Sequence, residues 1–281
     1  MLQLLKGMTT SAAAPPSDPS ASATEAISQL SLSLEDCSRG RRIAVLGGSF
    51  DPITTGHLKV ACEIIHTRKA DEVWIVPCGA RPDKPSLRTP YMHRLLMCHL
   101  AVNTTFGSTF PIRVCDIEGP EPQALATYHL MQRLKLEYPS KDFLFVLGAD
   151  LLSEIRSWTA PGVMDAGERL WSEGSFLLME RPGYDIPKDL PANFTILTGG
   201  ENTSIVTEDT SSSEIRRRIQ PPERQVTQFA EAERTYLQEG NWTMVDGLLN
   251  PAVLAHVIRY RLYITHPPPA AAPEGRRVAV S

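Results

Sequence analysis

The chain has 281 residues, of which 42% are hydrophobic and 21% charged, and its 28 Lys+Arg against 32 Asp+Glu give a formal net charge of −4. This composition is typical of a soluble globular protein, and the acidic balance argues against nucleic acid or an anionic membrane surface as the main partner. No apolar run approaches the roughly 20 residues that a membrane-spanning helix needs. The five cysteines are scattered without a C-x-x-C pair, which predicts reduced thiols and neither a disulfide framework nor a zinc site.

The two ends of the chain differ in composition from the segment between them. Residues 9–34 are dominated by Thr, Ser, Ala and Pro, and a Pro-Pro-Pro-Ala-Ala-Ala-Pro run follows His266. Such segments bury little apolar surface, so we predict disordered tails over residues 1–40 and 266–281 and one domain over residues 41–265. Acidic residues precede the first basic cluster and the apolar start is short, which argues against a targeting peptide and predicts a cytoplasmic protein.

Apolar runs rich in β-branched and aromatic residues alternate with segments whose apolar residues recur at helical spacing. In chain order, we predict strands at residues 42–46, 72–76, 112–115, 143–147, 175–179 and 194–197. We predict helices around residues 58–65 and 91–102, and at residues 127–137, 212–219 and 251–260. Strands that are apolar on both faces and alternate with helices form a parallel sheet covered on both sides. The sequence therefore predicts an α/β fold, a Rossmann-like doubly wound parallel sheet with a small C-terminal helical addition.

Ligands bind at the carboxyl ends of the strands in such sheets, and the segment after the first predicted strand is suited to bind an anion. Residues 47–57 read G-G-S-F-D-P-I-T-T-G-H and lead directly into a helix. Glycines at such a turn let backbone N–H groups approach a phosphate, and the helix N-terminus adds partial positive charge. A tight turn with a capping Thr is the alternative. The segment lacks G-x-G-x-x-G and the acidic residue typical of NAD ribose binding, which argues against a dehydrogenase.

A second segment near the end of the predicted domain combines hydroxyl groups with an arginine. Residues 210–216 read T-S-S-S-E-I-R, so a helix start presents hydroxyl and N–H groups and Arg216 follows one turn later. A guanidinium in that place can bridge phosphate oxygens. Taken alone, the segment fits a helix-capping box better than a binding site.

Several segments resemble the motifs of one protein family, and they follow one another along the chain in the family's order. Residues 47–57 resemble the G-x-F-x-P-x-[H/T]-x-x-H signature of the nucleotidylyltransferase superfamily, and most of all that of the nicotinamide/nicotinate mononucleotide adenylyltransferases. Thr54 occupies the first variable position, so only His57 can have an imidazolium charge. Residues 147–152, 179–184 and 210–216 are similar to the family's G-A-D-x-L, R-[RP]-G-[YN] and I-S-[ST]-T-x-I-R segments, with Thr210 in place of Ile and Ser213 in place of Thr.

The resemblance implies a site made of residues from the ends of several strands. It implies that His57 and Arg216 are catalytic and that no residue of the chain ligates a metal. The mononucleotide-binding residues would be Ser49, Lys84, Thr127, Trp158 and Arg181. The ATP-binding residues would be Gly47, Gly48, Ser49, Phe50, Thr54, His57, Gly148, Asp150, Ser212, Ser213 and Arg216.

The resemblance also implies a reaction, in which the 5′-phosphate of nicotinamide or nicotinate mononucleotide attacks the α-phosphorus of ATP and pyrophosphate leaves. The expected partners are ATP and the mononucleotide, with Mg²⁺ accompanying ATP, and neither nucleic acid nor a membrane is expected. A homo-oligomer is left open, as is the choice between the two mononucleotides. Two alternatives stand beside this interpretation: another small-substrate adenylyltransferase or cytidylyltransferase, such as a pantetheine-phosphate adenylyltransferase, and a non-catalytic, chaperone-like nucleotide-binding module on the same fold.

Overall fold

Parallel strands form the centre of the computed structural model. They are β1 (Arg41–Gly48), β2 (Glu72–Pro77), β3 (Ile112–Val114), β4 (Lys141–Gly148), β5 (Phe176–Met179) and β6 (Phe194–Ile196). Each strand pairs in parallel with its neighbours in the order β3–β2–β1–β4–β5–β6. The structure describes residues 41–81, 84, 87–119, 124–181, 183–199, 205–206, 210–220 and 240–264. The predicted tails, 1–40 and 266–281, lie outside these residues and stay predictions.

Helices connect the strands and cover both faces of the sheet. Among the described residues they are α1 (Thr55–His66), α2 (Tyr91–Thr105), α3 (Thr127–Glu137), α4 (Ala166–Glu173), α5 (Ser212–Ile219) and α6 (Pro251–Arg259). Short 3₁₀ helices lie at Ala149–Leu151, Ile155–Ser157 and Trp242–Val245. In the part of the chain that the structure describes, no helix is both long and apolar enough to cross a membrane.

Alternate residues of β1 belong to two different cores, one on each side of the sheet. Ala44 and Leu46 pack in a cluster with apolar residues of α1, α2, α5 and α6. Ile43 and Val45 pack in a second cluster with residues of α3 and α4. Because all four of these side chains are at most 7% exposed, β1 is buried on both faces, as a central strand of a parallel sheet must be.

The predicted fold is confirmed: the sheet is parallel, it is covered on both faces, and its strands match the predicted apolar runs to within two residues at each end. The C-terminal addition is α6, whose Val253 and Val257 are fully buried in the same cluster as β1, so it completes a core of the domain. The helix α4 was not predicted, because its eight residues include Gly167 and only Ala166, Gly167 and Leu170 are buried.

Candidate active site

A cleft of about 250 Å³ lies at the carboxyl ends of the strands. Its described walls come from the segment after β1, the loop after β2, the end of β5 and the start of α5. The lining residues are Ser49, Phe50, Asp51, His57, Lys84, Leu87, Arg181, Thr210, Ser211, Ser212, Ser213 and Arg216. Three of them are permanent cations (Lys84, Arg181 and Arg216), and Asp51 is the carboxylate among them. The cleft is therefore suited to polyanionic ligands although the whole chain has a net charge of −4.

His57 lies in the first turn of α1, where its ring turns back towards the residue that precedes the helix. The backbone N–H of Thr54 donates to His57 Nδ1 at 3.0 Å, and Thr54 Oγ1, which lies 2.7 Å from the same nitrogen, donates to the Thr210 carbonyl at 3.0 Å. Since Nδ1 accepts, the neutral ring bears its proton on Nε2. The edge of the Phe50 ring packs against the imidazole, with the ring centroids 5.1 Å apart.

The surroundings of His57 determine its protonation state. Burial, and then the positive charge of Arg181, lower the pKa of His57 to about 4. The imidazole is therefore neutral near pH 7 in the unliganded cleft. What His57 offers to a ligand is an Nε2–H donor, and the permanent positive charge comes from the lysine and the arginines.

The start of α5 is fastened to the segment after β1. Ser211 is the N-cap residue, and its Oγ accepts the Glu214 N–H at 3.1 Å. Ser212 Oγ donates to the Pro52 carbonyl at 2.8 Å. Together with the Thr54–Thr210 hydrogen bond, this contact brings the N-terminus of α5 next to that of α1. The motifs of the two segments predict that both belong to one site, and the structure brings them together.

Arg216 projects from α5 into the cleft and is held by neutral oxygen atoms. Its Nη1 donates to the Asp51 carbonyl at 2.6 Å, and its Nη2 donates to Ser213 Oγ at 3.1 Å. The Asp51 carboxylate is further away, with Oδ2 3.9 Å from Nη1. The next two arginines differ, because Arg217 and Arg218 both form ion pairs with Glu214. Arg216 therefore keeps its charge available for a ligand.

Two side chains join the loops after β1 and β2: Lys84, which lines the cleft, and Arg94, which is buried. Lys84 is exposed, and its Nζ donates to Ser49 Oγ at 3.2 Å. Arg94 is only 1% exposed and donates to the carbonyls of Ser49, Gly79 and Thr89 at 2.8, 3.1 and 3.2 Å. Arg94 thus connects the loop after β1 to both ends of the loop after β2. The sequence alone assigned no role to Arg94.

Glu118 completes the support of the loop after β2. Its Oε2 accepts the N–H groups of Gly79 and Leu125 at 2.9 and 3.0 Å. Burial raises the pKa of Glu118, while these two hydrogen bonds and the charges of Arg81 and Arg94 oppose that shift. The N–H and the carbonyl of Gly79 are therefore held by two different buried side chains, which fixes the loop that leads to Lys84.

Gly148 and Asp150 lie at the end of β4, beside the cleft. Asp150 Oδ1 is 3.8 Å from Arg181 Nε, and both side chains are 39% exposed. A Cβ atom on Gly148 would collide with the Asp150 carboxylate, so the absence of a side chain at Gly148 is what lets Asp150 lie there. Gly48 has a similar role, because a Cβ there would come within 3.1 Å of the Phe50 ring.

The predicted residues divide into two groups. Ser49, Phe50, His57, Lys84, Arg181, Ser212, Ser213 and Arg216 line the cleft. The others do not: Gly47, Gly48 and Thr54 lie directly behind it, Gly148 and Asp150 beside it, Thr127 begins α3, and Trp158 packs half-buried against the core cluster of α3 and α4. Asp51, Leu87, Thr210 and Ser211 line the cleft without having been predicted; all but Leu87 belong to the two motif segments, so only Leu87 gave no signal.

Comparisons with known proteins find one family model and relatives that share one kind of name. A family model described as cytidylyltransferase-like matches residues 45–218. A probable nicotinate-nucleotide adenylyltransferase from Tropheryma whipplei (strain Twist) is 39% identical over 147 residues, which cover 51% of this chain and 73% of that protein. A probable nicotinate-nucleotide adenylyltransferase from Oceanobacillus iheyensis is 31% identical over 180 residues, which cover 64% of this chain and 85% of that protein.

Solved structures agree with these relatives. The Plasmodium falciparum nicotinic acid mononucleotide adenylyltransferase complexed with NaAD superposes with a TM-score of 0.58 at 26% sequence identity. The match covers 79% of this chain and 97% of that one. The same protein complexed with APC matches equally well.

Proposed function

Since the chain belongs to the cytidylyltransferase-like family, we propose that it transfers AMP from ATP to nicotinamide or nicotinate mononucleotide, forming NAD or deamido-NAD and releasing pyrophosphate. The observation that supports this most is the cleft itself, where an imidazole N–H and three cations from separate segments converge at the carboxyl ends of the strands. The relatives described above are named for the nicotinate form, which favours nicotinate mononucleotide as the acceptor.

ATP occupies the part of the cleft between α1 and α5. The His57 Nε2–H and the Arg216 guanidinium donate to oxygens of the α- and β-phosphates, and the N–H groups at the start of α5 add partial positive charge. Arg216 can turn to phosphate oxygens at a small cost, because its present partners are a carbonyl and a hydroxyl and not a close carboxylate. Gly148 and Asp150 contact the adenosine, beside Arg181.

The mononucleotide occupies the part of the cleft next to the loop after β2. Lys84 and Ser49, which are hydrogen-bonded to each other in this structure, receive the 5′-phosphate. Arg181, which also lines the cleft, contributes a second cation. Thr127 and Trp158 contact the ribose and the pyridine ring beyond the cleft proper.

The chain supplies position and charge for the transfer. A phosphate oxygen of the mononucleotide forms a bond to the α-phosphorus of ATP, the bond from that phosphorus to the β-phosphate oxygen breaks, and pyrophosphate leaves with the electron pair. The attacking oxygen is already anionic near pH 7, so no general base is needed. The barrier falls because His57, Arg216 and Lys84 hold the two anions in line and offset their mutual repulsion.

The donor set of the cleft does not fit a metal cage built by the protein. In the described segments, no three His, Cys, Asp or Glu side chains come together as metal ligands. Asp51, the carboxylate that lines the cleft, is 2% exposed and accepts a hydrogen bond from Tyr263. We therefore propose that Mg²⁺ arrives bound to the phosphates of ATP, where it neutralises charge.

A turnover assay separates this function from its alternatives. The protein is incubated with ATP, Mg²⁺ and either nicotinate or nicotinamide mononucleotide, and pyrophosphate and the dinucleotide are measured. A parallel reaction with phosphopantetheine in place of the mononucleotide tests the related adenylyltransferase. Pyrophosphate without a dinucleotide, or ATP binding without turnover on any acceptor, would contradict the proposal and favour the other activity or the non-catalytic module.

Two neighbouring arginines provide a matched pair of variants for the same assay. We expect Arg216→Ala, like His57→Ala, to lower kcat by about 10²–10³-fold, the usual loss for one donor to a transition-state oxygen. Arg217→Ala is the control, because Arg217 is paired with Glu214 and does not line the cleft. Equal kcat values for Arg216→Ala and Arg217→Ala would show that Arg216 takes no part in the reaction.

A further inference from the structure

The backbone makes an unusual turn directly after α6. Arg261 and Tyr263 both have positive φ angles, of 50° and 67°, a region that residues with a side chain rarely adopt. This turn directs the Tyr263 side chain back beneath the cleft. Its hydroxyl donates to Asp51 Oδ1 at 2.8 Å, across 212 residues of sequence. A strained conformation of this kind persists when surrounding contacts hold it, and often serves a site.

Asp51 is the point where this turn meets the catalytic arginine. The Asp51 side chain lines the cleft but is only 2% exposed, so its orientation depends on hydrogen bonds from the protein. Its carbonyl holds Arg216 Nη1 at 2.6 Å, whereas its Oδ2 stays 3.9 Å from the same nitrogen. The Tyr263 hydroxyl engages the other carboxylate oxygen.

We propose that Tyr263 is a positioning residue for nucleotidyl transfer, which holds the Asp51 carboxylate away from Arg216 so that the guanidinium remains available for the phosphates of ATP. The inference rests on the proposed function. Without the hydroxyl, the Arg216 guanidinium, whose Nη1 lies 3.9 Å from Oδ2, is available as a donor to the buried carboxylate. A close ion pair between Asp51 and Arg216 then forms, and it competes with the phosphates for the same N–H groups.

The surroundings of Tyr263 make its hydroxyl a permanent donor. Burial, and then the charge of Asp51 together with their hydrogen bond, raise the pKa of Tyr263 well above its ordinary value, although a hydrogen bond with Thr89 and the charge of Arg216 oppose this. The phenol therefore keeps its proton throughout the neutral range. The ring packs half-buried against the core cluster of α1, α2, α5 and α6, so removing the hydroxyl alone leaves that packing in place.

The experiment compares Tyr263→Phe with the wild-type protein in the pyrophosphate assay. We expect kcat to fall about tenfold, while the KM for the mononucleotide stays within a factor of two, because Tyr263 donates to Asp51 and not to Lys84 or Ser49. Tyr260→Phe is the matched control: Tyr260 is 50% exposed at the end of α6, where its ring packs against His93 and His256. An unchanged kcat in Tyr263→Phe overturns the inference while leaving the proposed function intact, whereas an inactive wild-type protein overturns the proposed function.

A double-mutant cycle distinguishes positioning from general destabilisation. In the Arg216→Ala background, Tyr263→Phe should have no further effect on kcat, because the residue through which Tyr263 acts is gone. A further tenfold loss there would overturn the inference. If Tyr263→Phe alone does not fold, the cycle is built in the Asp51→Asn background, where no buried carboxylate is left without its donor. There too the inference requires that adding Tyr263→Phe leaves kcat unchanged, and a further loss contradicts it.

Discussion

Acidification should destabilise this protein through His57, by an amount that follows from the surroundings of the imidazole. Burial, and then the charge of Arg181, lower the pKa of His57 to about 4 in the folded chain, whereas the ordinary value of about 6.5 applies to the unfolded chain. Between these two values the unfolded chain binds the proton and the folded chain does not. The free energy of unfolding therefore falls as the pH falls from 6.5 towards 4.

The expected size of this effect is measurable. Each tenfold difference in proton affinity corresponds to about 1.4 kcal/mol, so His57 accounts for about 2.5 kcal/mol of stability between pH 7.5 and pH 4.5. Urea unfolding at these two pH values measures the loss in the wild type. His57→Gln provides the reference, because glutamine does not titrate and other groups, including His256, also respond to acid. The difference between the two proteins isolates the contribution of His57.

NMR titration of the imidazole tests the same reasoning directly. The midpoint for His57 should lie near pH 4 in the unliganded protein, and it should rise in Arg181→Gln, where one of the two causes is removed. Saturating ATP should also raise it, because a bound polyanion favours the imidazolium form. A midpoint at or above pH 6.5 without ligand, or the same pH dependence of unfolding in wild type and His57→Gln, would refute the argument.

Two further predictions concern the support of the cleft. Gly148→Ala should raise the KM for ATP about tenfold, since its Cβ displaces the Asp150 carboxylate beside Arg181; Gly107→Ala, whose Cβ meets no atom within 4 Å, is the control in the same kinetic assay, and equal KM values would contradict the prediction. Arg94→Lys should lower the free energy of unfolding by about 3 kcal/mol, because lysine keeps the charge but not the fork that reaches three carbonyls. Urea unfolding measures this, and a loss below 1 kcal/mol would contradict it.

The sheet could be predicted from the sequence because its signal is local. Residues of β1 are apolar on both faces, and this pattern is typical of a buried parallel strand whatever the rest of the chain does. The helix α4 lacks such a signal. It packs against the 3₁₀ helix Ile155–Ser157, and a Cβ on Gly167 would collide with the Arg156 carbonyl there. Gly167 weakens the helix locally but permits this contact, so the helix depends on packing that the sequence does not display.

The parts of the cleft that belong to the two motif segments could be predicted from the sequence. The segment that leads to His57 and the one that contains Arg216 each show their chemistry in adjacent residues, and the structure brings them to one place. Arg94 and Tyr263 could not be assigned in this way. Arg94 reaches carbonyls of two separate loops, and Tyr263 reaches a carboxylate 212 residues away, so their roles depend on backbone positions that only the folded chain defines.

The hydrogen-bond partners of the cationic side chains explain how a chain of net charge −4 has a positively charged cleft that can bind an anion. Lys84 and Arg216 are hydrogen-bonded to hydroxyl and carbonyl oxygens, and the Asp51 carboxylate stays 3.9 Å from Arg216. Phosphate oxygens can replace such partners without breaking a close ion pair. Arg217 and Arg218, which do not line the cleft, form ion pairs with Glu214 instead. The run of three arginines thus separates into one that lines the cleft and two that are paired outside it, and this placement gives the cleft the positive charge that a polyanion requires.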